Sequence, residues 1–200
     1  QGAEILAKLH AEIGNKTAPG IPSQTEWLTN RIEMATALPE KTRYATIDLL
    51  REQKTDDKIC HGDFHPGNIL LTPEKPIIID WPLVTRGNPM GDIALTSLLL
   101  TVAAPLSSSA TLLLNLAPLK MMRQWFCNLY LRAYSNYREI NFDSLSDWSA
   151  ITAAARLAEN IPGETKALTK IVLTAFSKNK TPKHLRPIKN ELSYVDIKNK

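Results

Sequence analysis

The sequence predicts a mostly α domain of the α+β class, a helical bundle carrying one small β-hairpin. Three observations predict it. Apolar residues recur at helical spacing through most of the 200 residues, with capping and stop signals between the segments. Two short apolar runs, 69–71 and 77–79, read as strands, and the turn-forming residues 72–76 between them favour an antiparallel pair. A hydrophobic share of 44% and a charged share of 22% suit one globular domain with a real core.

The helices follow in order. Residues 2–13 place Ile5, Leu6, Leu9 and Ile13 on one face, and Gly14 with Asn15 supplies the stop. His10 falls between core and rim, as a packed histidine. Ser23 and Glu26 form a capping-box pair that opens a helix through Trp27, Leu28, Ile32, Met34 and Leu38, closed by Pro39. A third helix spans 40–53 with Tyr44, Ile47 and Leu50 on its apolar face. After the hairpin, residues 81–91 are rich in Pro and Gly and read as loop. Asp92 then caps a helix over 93–104 whose all-round apolarity predicts burial. Ser107 or Ser108 caps the next, which Pro118 restarts. Over 119–137, Met122, Trp125, Phe126, Leu129, Tyr130, Ala133 and Tyr137 make a wide apolar face read as core. Helices over 145–160 and 164–177 complete the bundle, and residues 178–200 read as a loosely ordered tail.

The chemistry gathers in residues 61–80, HGDFHPGNILLTPEKPIIID. Gly62 and Gly67 bracket a tight loop in which Pro66 forces His65 towards extended geometry. Antiparallel pairing of the two strands brings Asp63, Asn68 and Asp80 to one end of the ribbon. Asn68 and Asp80 are oxygen donors suited to a hard cation such as Mg2+, which keeps its other positions for water and substrate phosphates. Asp63 is left to orient and deprotonate a hydroxyl. Each residue alone has a plainer reading, as turn, N-cap or core strand; in this order and spacing they describe phosphoryl transfer. A transition metal on His61, Asp63 and His65 is the rival use, and it leaves Asn68 and Asp80 unexplained.

His61-Gly62-Asp63 followed five residues later by Asn68 resembles the catalytic loop of kinase-like phosphotransferases. HGD with HPGN, then Ile79-Asp80-Trp81, is similar to the aminoglycoside phosphotransferase family, which phosphorylates small alcohols. Residues 87–95, GNPMGDIAL, resemble that family's G-D-P-x-x-D-L-A, with Asn88 in place of the first Asp. The resemblance implies Asp63 as catalytic base, Asn68 and Asp80 as magnesium ligands, and Asp92 with His61 as supports of the catalytic loop 61–68. It implies ATP or GTP as donor, an aminoglycoside or other amino alcohol as acceptor, and weaker substrate-positioning roles for His65 and Trp81. It further implies that residues 1–177 form the C-terminal lobe of a protein-kinase-like fold. No G-x-G loop or strand lysine precedes residue 61, so the nucleotide-binding N-terminal lobe is expected to be absent and the lobe alone inactive. The alternative is a non-catalytic binding module that keeps the lobe fold.

Charge narrows the partners. The formal net charge of +4 is uneven: residues 164–200 hold 9 Lys or Arg against 3 Asp or Glu, leaving 15 against 17 for the rest. That basic tail lacks aromatic interleaving or a recognised motif, so no nucleic-acid partner is expected. The uncharged run 93–119 is broken by Pro105, Pro118 and Ser107 to Ser109, which predicts two buried helices and no membrane span. Cys60 and Cys127 sit in apolar surroundings, as reduced thiols suited to the cytoplasm, and no signal peptide opens the sequence. Asp147, Glu159 and Glu164 either receive a cationic acceptor or lie solvated on the surface.

Overall fold

The computed structural model describes residues 1–103 and 117–177. Helix α1 (Gly2–Gly14) buries Leu6, Ala7, His10 and Ala11 and lies along α5 (Ala117–Tyr134), whose Cys127, Tyr130 and Tyr134 are buried beneath it. Helix α2 (Gln24–Glu33) begins as the sequence predicts, with Ser23 Oγ accepting the Glu26 N–H at 3.4 Å. It ends sooner than predicted, at Glu33. Pro39 does not close it but stands at the N-cap of α3 (Glu40–Glu52), where a proline φ of −55° leads into a helix and no hydrogen bond is lost. Met34 and Tyr44, expected on apolar faces, are exposed; Leu28, Ile32, Ile47 and Leu50 carry the packing.

Two antiparallel strand pairs follow. The predicted hairpin joins β2 (Ile69–Leu71) to β3 (Pro76–Ile78), with Ile69 opposite Ile78 and Leu71 opposite Pro76. Ile69 and Ile78 pack against the core, while Leu70, Leu71 and Ile77 face outward. The second pair was not predicted: β1 (Lys58–Cys60) pairs with β4 (Thr85–Gly87) inside the stretch read as loop. Three-residue strands rich in Lys, Thr, Arg and Gly leave no alternating pattern to read.

Helix α4 (Pro89–Thr101) runs through the centre, with Ile93, Ala94 and Leu98 wholly buried. Its cap is Asn88, whose Oδ1 accepts the Met90 N–H at 2.9 Å, and Pro89 takes the first helical position. Asp92, expected to be the cap, lies one turn further on and is used elsewhere. Helix α6 (Phe142–Arg156) packs on α4; it starts at Phe142 rather than Leu145 because Asn141 Oδ1 accepts the N–H groups of Asp143 and Ser144. A Cβ on Gly91 would come within 2.8 Å of the Trp148 ring, so glycine permits the close approach of these two helices. A short 3-10 turn over Leu157–Glu159 leads to α7 (Thr165–Phe176), which packs on α6.

The face predicted as core on α5 divides. Tyr130 and Ala133 are buried, whereas Met122 and Trp125, and Tyr137 beyond the helix end, are exposed. The predicted cap at Ser107 or Ser108 and the tail 178–200 lie outside the described residues. Among the described residues no helix is long and apolar enough to cross a membrane, and both Cys60 and Cys127 are free and buried.

Candidate active site

The loop between β1 and β2 is fixed from behind by Asp92. Its Oδ2 accepts the main-chain N–H of His61 at 2.6 Å, and its Oδ1 accepts that of Gly62 at 2.9 Å. His10 Nε2 meets the same Oδ2 at 3.0 Å and His10 Nδ1 meets Tyr130 Oη at 2.7 Å, so α1, α4, α5 and the loop share one buried polar network. Burial works against ionisation of Asp92, but His10 and the two amide groups outweigh it and hold the carboxyl below its usual range. The network rests on residues 82 positions apart in the chain, which no local pattern announces.

Gly62 adopts φ +81°, and a Cβ there would collide with the Leu83 carbonyl. Glycine therefore sets the bend that delivers Asp63. His61 lies beneath it, wholly buried, with its ring 4.5 Å from that of Trp81. The Asp63 N–H donates to His61 Nδ1 at 3.2 Å, so the ring proton sits on Nε2 and donates to the Ile79 carbonyl at 3.0 Å. Burial favours this neutral form and pulls the His61 pKa down, against the nearby Asp92 charge.

Asp63 is half-buried. His65, with Nε2 3.6 Å from Asp63 Oδ2, is the largest influence holding the Asp63 carboxyl below its usual range, against desolvation and with help from Asn68 and the Arg156 charge. That separation exceeds a formed hydrogen bond, so the histidine acts electrostatically. Asn68 Nδ2 donates to the Asp63 carbonyl at 2.8 Å and to Asp63 Oδ2 at 3.2 Å. With the amide nitrogen turned to Asp63, the amide oxygen points away from it.

At the root of the hairpin the Ile79 N–H donates to the Asn68 carbonyl at 3.0 Å, and Asp80 is the next residue in the chain. Asp80 is exposed and takes φ +66°, a left-handed conformation unusual for a residue with a side chain. Asn68 and Asp80 carry an amide oxygen and a carboxylate, the oxygen donor types that magnesium takes while keeping positions for water and phosphate. Among the described residues no group of three or more His, Cys, Asp and Glu side chains is placed to hold a metal.

A cavity of about 800 Å³ opens against the loop, with Asp63 and His65 in its wall together with residues from α2, α4, α5 and α6. Trp81 is not among its lining residues. It packs on His61 and donates its Nε1–H to the Ile78 carbonyl at 3.1 Å. Glu164, read as cation receptor or surface charge, is neither: it is wholly buried and bound by two nitrogens of Arg156, at 2.6 and 3.0 Å. Glu159 lines the cavity and is bound by Arg31 at 2.8 Å and Arg156 at 3.2 Å. His10 is packed, as the sequence predicts, and buried rather than at the rim; its bond to Asp92 and the three arginines of the cavity are what sequence reasoning missed.

Two structures of LicA share this fold. Choline kinase LicA from Streptococcus pneumoniae superposes with a TM-score of 0.56 and 15% identity, over 88% of this chain and 63% of that one. LicA in complex with AMP gives 0.54 and 17%, over 86% and 60%. Mouse acyl-CoA dehydrogenase family member 10 is 33% identical over 111 residues, covering 48% of this chain and 10% of that protein. The chain thus spans a tenth of that curated relative's length. The phosphotransferase enzyme family (APH) matches residues 3–115, more than half of the sequence and the whole of the loop and hairpin. On that match the chain belongs to the phosphotransferase enzyme family.

Proposed function

We propose that the chain is the catalytic, acceptor-binding lobe of an enzyme that moves the γ-phosphoryl group of a nucleoside triphosphate, ATP or GTP, to the hydroxyl of a small molecule. The observation that carries the reading is Asp63, an ionised carboxylate tied to Asn68 on one side and facing the cavity on the other. Asp63 accepts a hydrogen bond from the acceptor hydroxyl and takes its proton as the new oxygen–phosphorus bond forms. The bond from the γ-phosphorus to the bridging oxygen breaks, and nucleoside diphosphate leaves with that electron pair.

Asn68 and Asp80 would hold Mg2+, which supplies charge neutralisation to the phosphates when bound. Asp92, with His10 behind it, positions the loop through main-chain N–H groups, and neutral His61 fixes the Asp63 amide. His65 draws the Asp63 pKa down, and Trp81 supports His61 from the side. The nucleotide-gripping lobe belongs to the same proposal, because the chain covers 63% of the choline kinase it resembles. An aminoglycoside or other amino alcohol is one acceptor class, in keeping with the choline kinase neighbour; the charge of the cavity bears on that choice.

The test is steady-state turnover of the full-length protein with Mg2+, nucleoside triphosphate and a panel of alcohols. Asp63→Asn is expected to lower kcat by about 10²- to 10⁴-fold with nucleotide affinity unchanged. Unaltered turnover would remove Asp63 from the mechanism. Nucleotide binding without turnover of any alcohol would favour a binding module.

A further inference from the structure

The cavity beside Asp63 carries more guanidinium groups than carboxylates among its described lining residues. Three guanidinium groups line it, Arg31 from α2, Arg123 from α5 and Arg156 from α6, against two lining carboxylates, Asp63 and Glu159. Neither carboxylate is open to a cation. Asp63 is committed to the reacting hydroxyl on the reading above, and both oxygens of Glu159 are engaged by Arg31 and Arg156. Trp27 is the one indole or phenyl ring among the described lining residues, and the Arg31 guanidinium already stands over it, 5.3 Å from the centroid. Among the described lining residues, an ammonium would meet carboxylates already engaged and three guanidinium groups, of which Arg156 is paired with Glu164 behind the wall.

An anion finds the opposite. Arg31 has one nitrogen bound to Glu159, while its Nε is buried without a hydrogen-bond partner, so the guanidinium is not fully satisfied by the protein. Arg123 is held rigidly by the carbonyls of Leu99, Leu100 and Ala103, so its charge is fixed at the wall. Leu28, Leu83 and Leu95 supply apolar surface in the same wall. From this, and resting on the phosphotransferase reading, we infer that the acceptor is an alcohol with an apolar body and a carboxylate or phosphate group, received by Arg31 in the field of Arg123 and Arg156.

A matched series tests it: 6-hydroxyhexanoate, 6-hydroxyhexyl phosphate, 1,6-hexanediol and 6-aminohexan-1-ol, which differ only in the terminal group. Each is measured on the full-length protein by turnover and, separately, by calorimetric binding. The inference expects one or both anions to exceed the diol and the amino alcohol by about tenfold in affinity and in kcat/KM, and the two anionic arms tell carboxylate from phosphate. Arg31→Gln should raise KM for the preferred anion about tenfold more than it raises KM for the diol, with Arg31→Lys restoring part of the difference. Preference for the amino alcohol, equal use of all four, or no binding of any overturns the inference. Anion-selective binding with no turnover of any compound upholds it and instead defeats the phosphoryl-transfer reading.

Discussion

Glu164 and Arg156 meet through two parallel hydrogen bonds, 2.6 Å from Nε and 3.0 Å from Nη2, with the carboxylate wholly buried. The bidentate geometry fixes a guanidinium in the cavity wall that Asp63 also lines. Arg156 is only 12% exposed, so removing its partner leaves a charge with little access to water. Glu164→Ala is expected to destabilise the fold by about 3–5 kcal/mol in urea denaturation. A loss under about 1 kcal/mol would mean that Glu159 alone satisfies the guanidinium.

The stability of the lobe should fall in acid through Asp92. Its folded pKa lies below the ordinary value, so its stabilisation is complete above about pH 4 and drains away as pH drops through the lower folded value. Asp63, shifted the same way, adds to the slope. Asp92→Asn should lower stability at pH 7 and flatten the dependence below pH 4. Parallel curves for the two proteins in denaturation at several pH values would show that Asp92 is not the titrating anchor.

Gly62→Ala forces a side chain into φ +81° and against the Leu83 carbonyl. A cost of about 1–3 kcal/mol is expected, together with displacement of Asp63. Turnover should fall at least about tenfold even at temperatures where the variant is fully folded. Circular dichroism paired with the kinetic assay separates the two effects.

Asp80 carries strain that glycine would relieve. Asp80→Gly is expected to equal or exceed the parent in stability, by up to about 1 kcal/mol, while magnesium-dependent turnover is lost. Stability and activity moving in opposite directions is the signature. A variant that keeps its magnesium response would take Asp80 out of the metal site.

Much of this arrangement was legible in the sequence because it is local. The hairpin announces itself through two apolar runs around a Pro-rich turn, and the spacing from Asp63 to Asn68 lies within one loop. The Ser23 cap was readable for the same reason. What joins distant segments was not. His10 reaches Asp92 across 82 positions, and Arg31 reaches Glu159 across 128. The β1–β4 ladder escaped because three-residue strands carry no period, and the exposed side of α5 escaped because large apolar residues there look the same whether covered or not.

Asp92 grips the loop between β1 and β2 only by amide hydrogens, those of positions 61 and 62. Its hydrogen bonds therefore need no particular side chain at position 61, and in a saturation library proline alone would remove the donor there, having no hydrogen to give. Tolerance at that position then reports on the imidazole's own contacts to Ile79 and Asp63, cleanly separated from the tether that holds the turn in place.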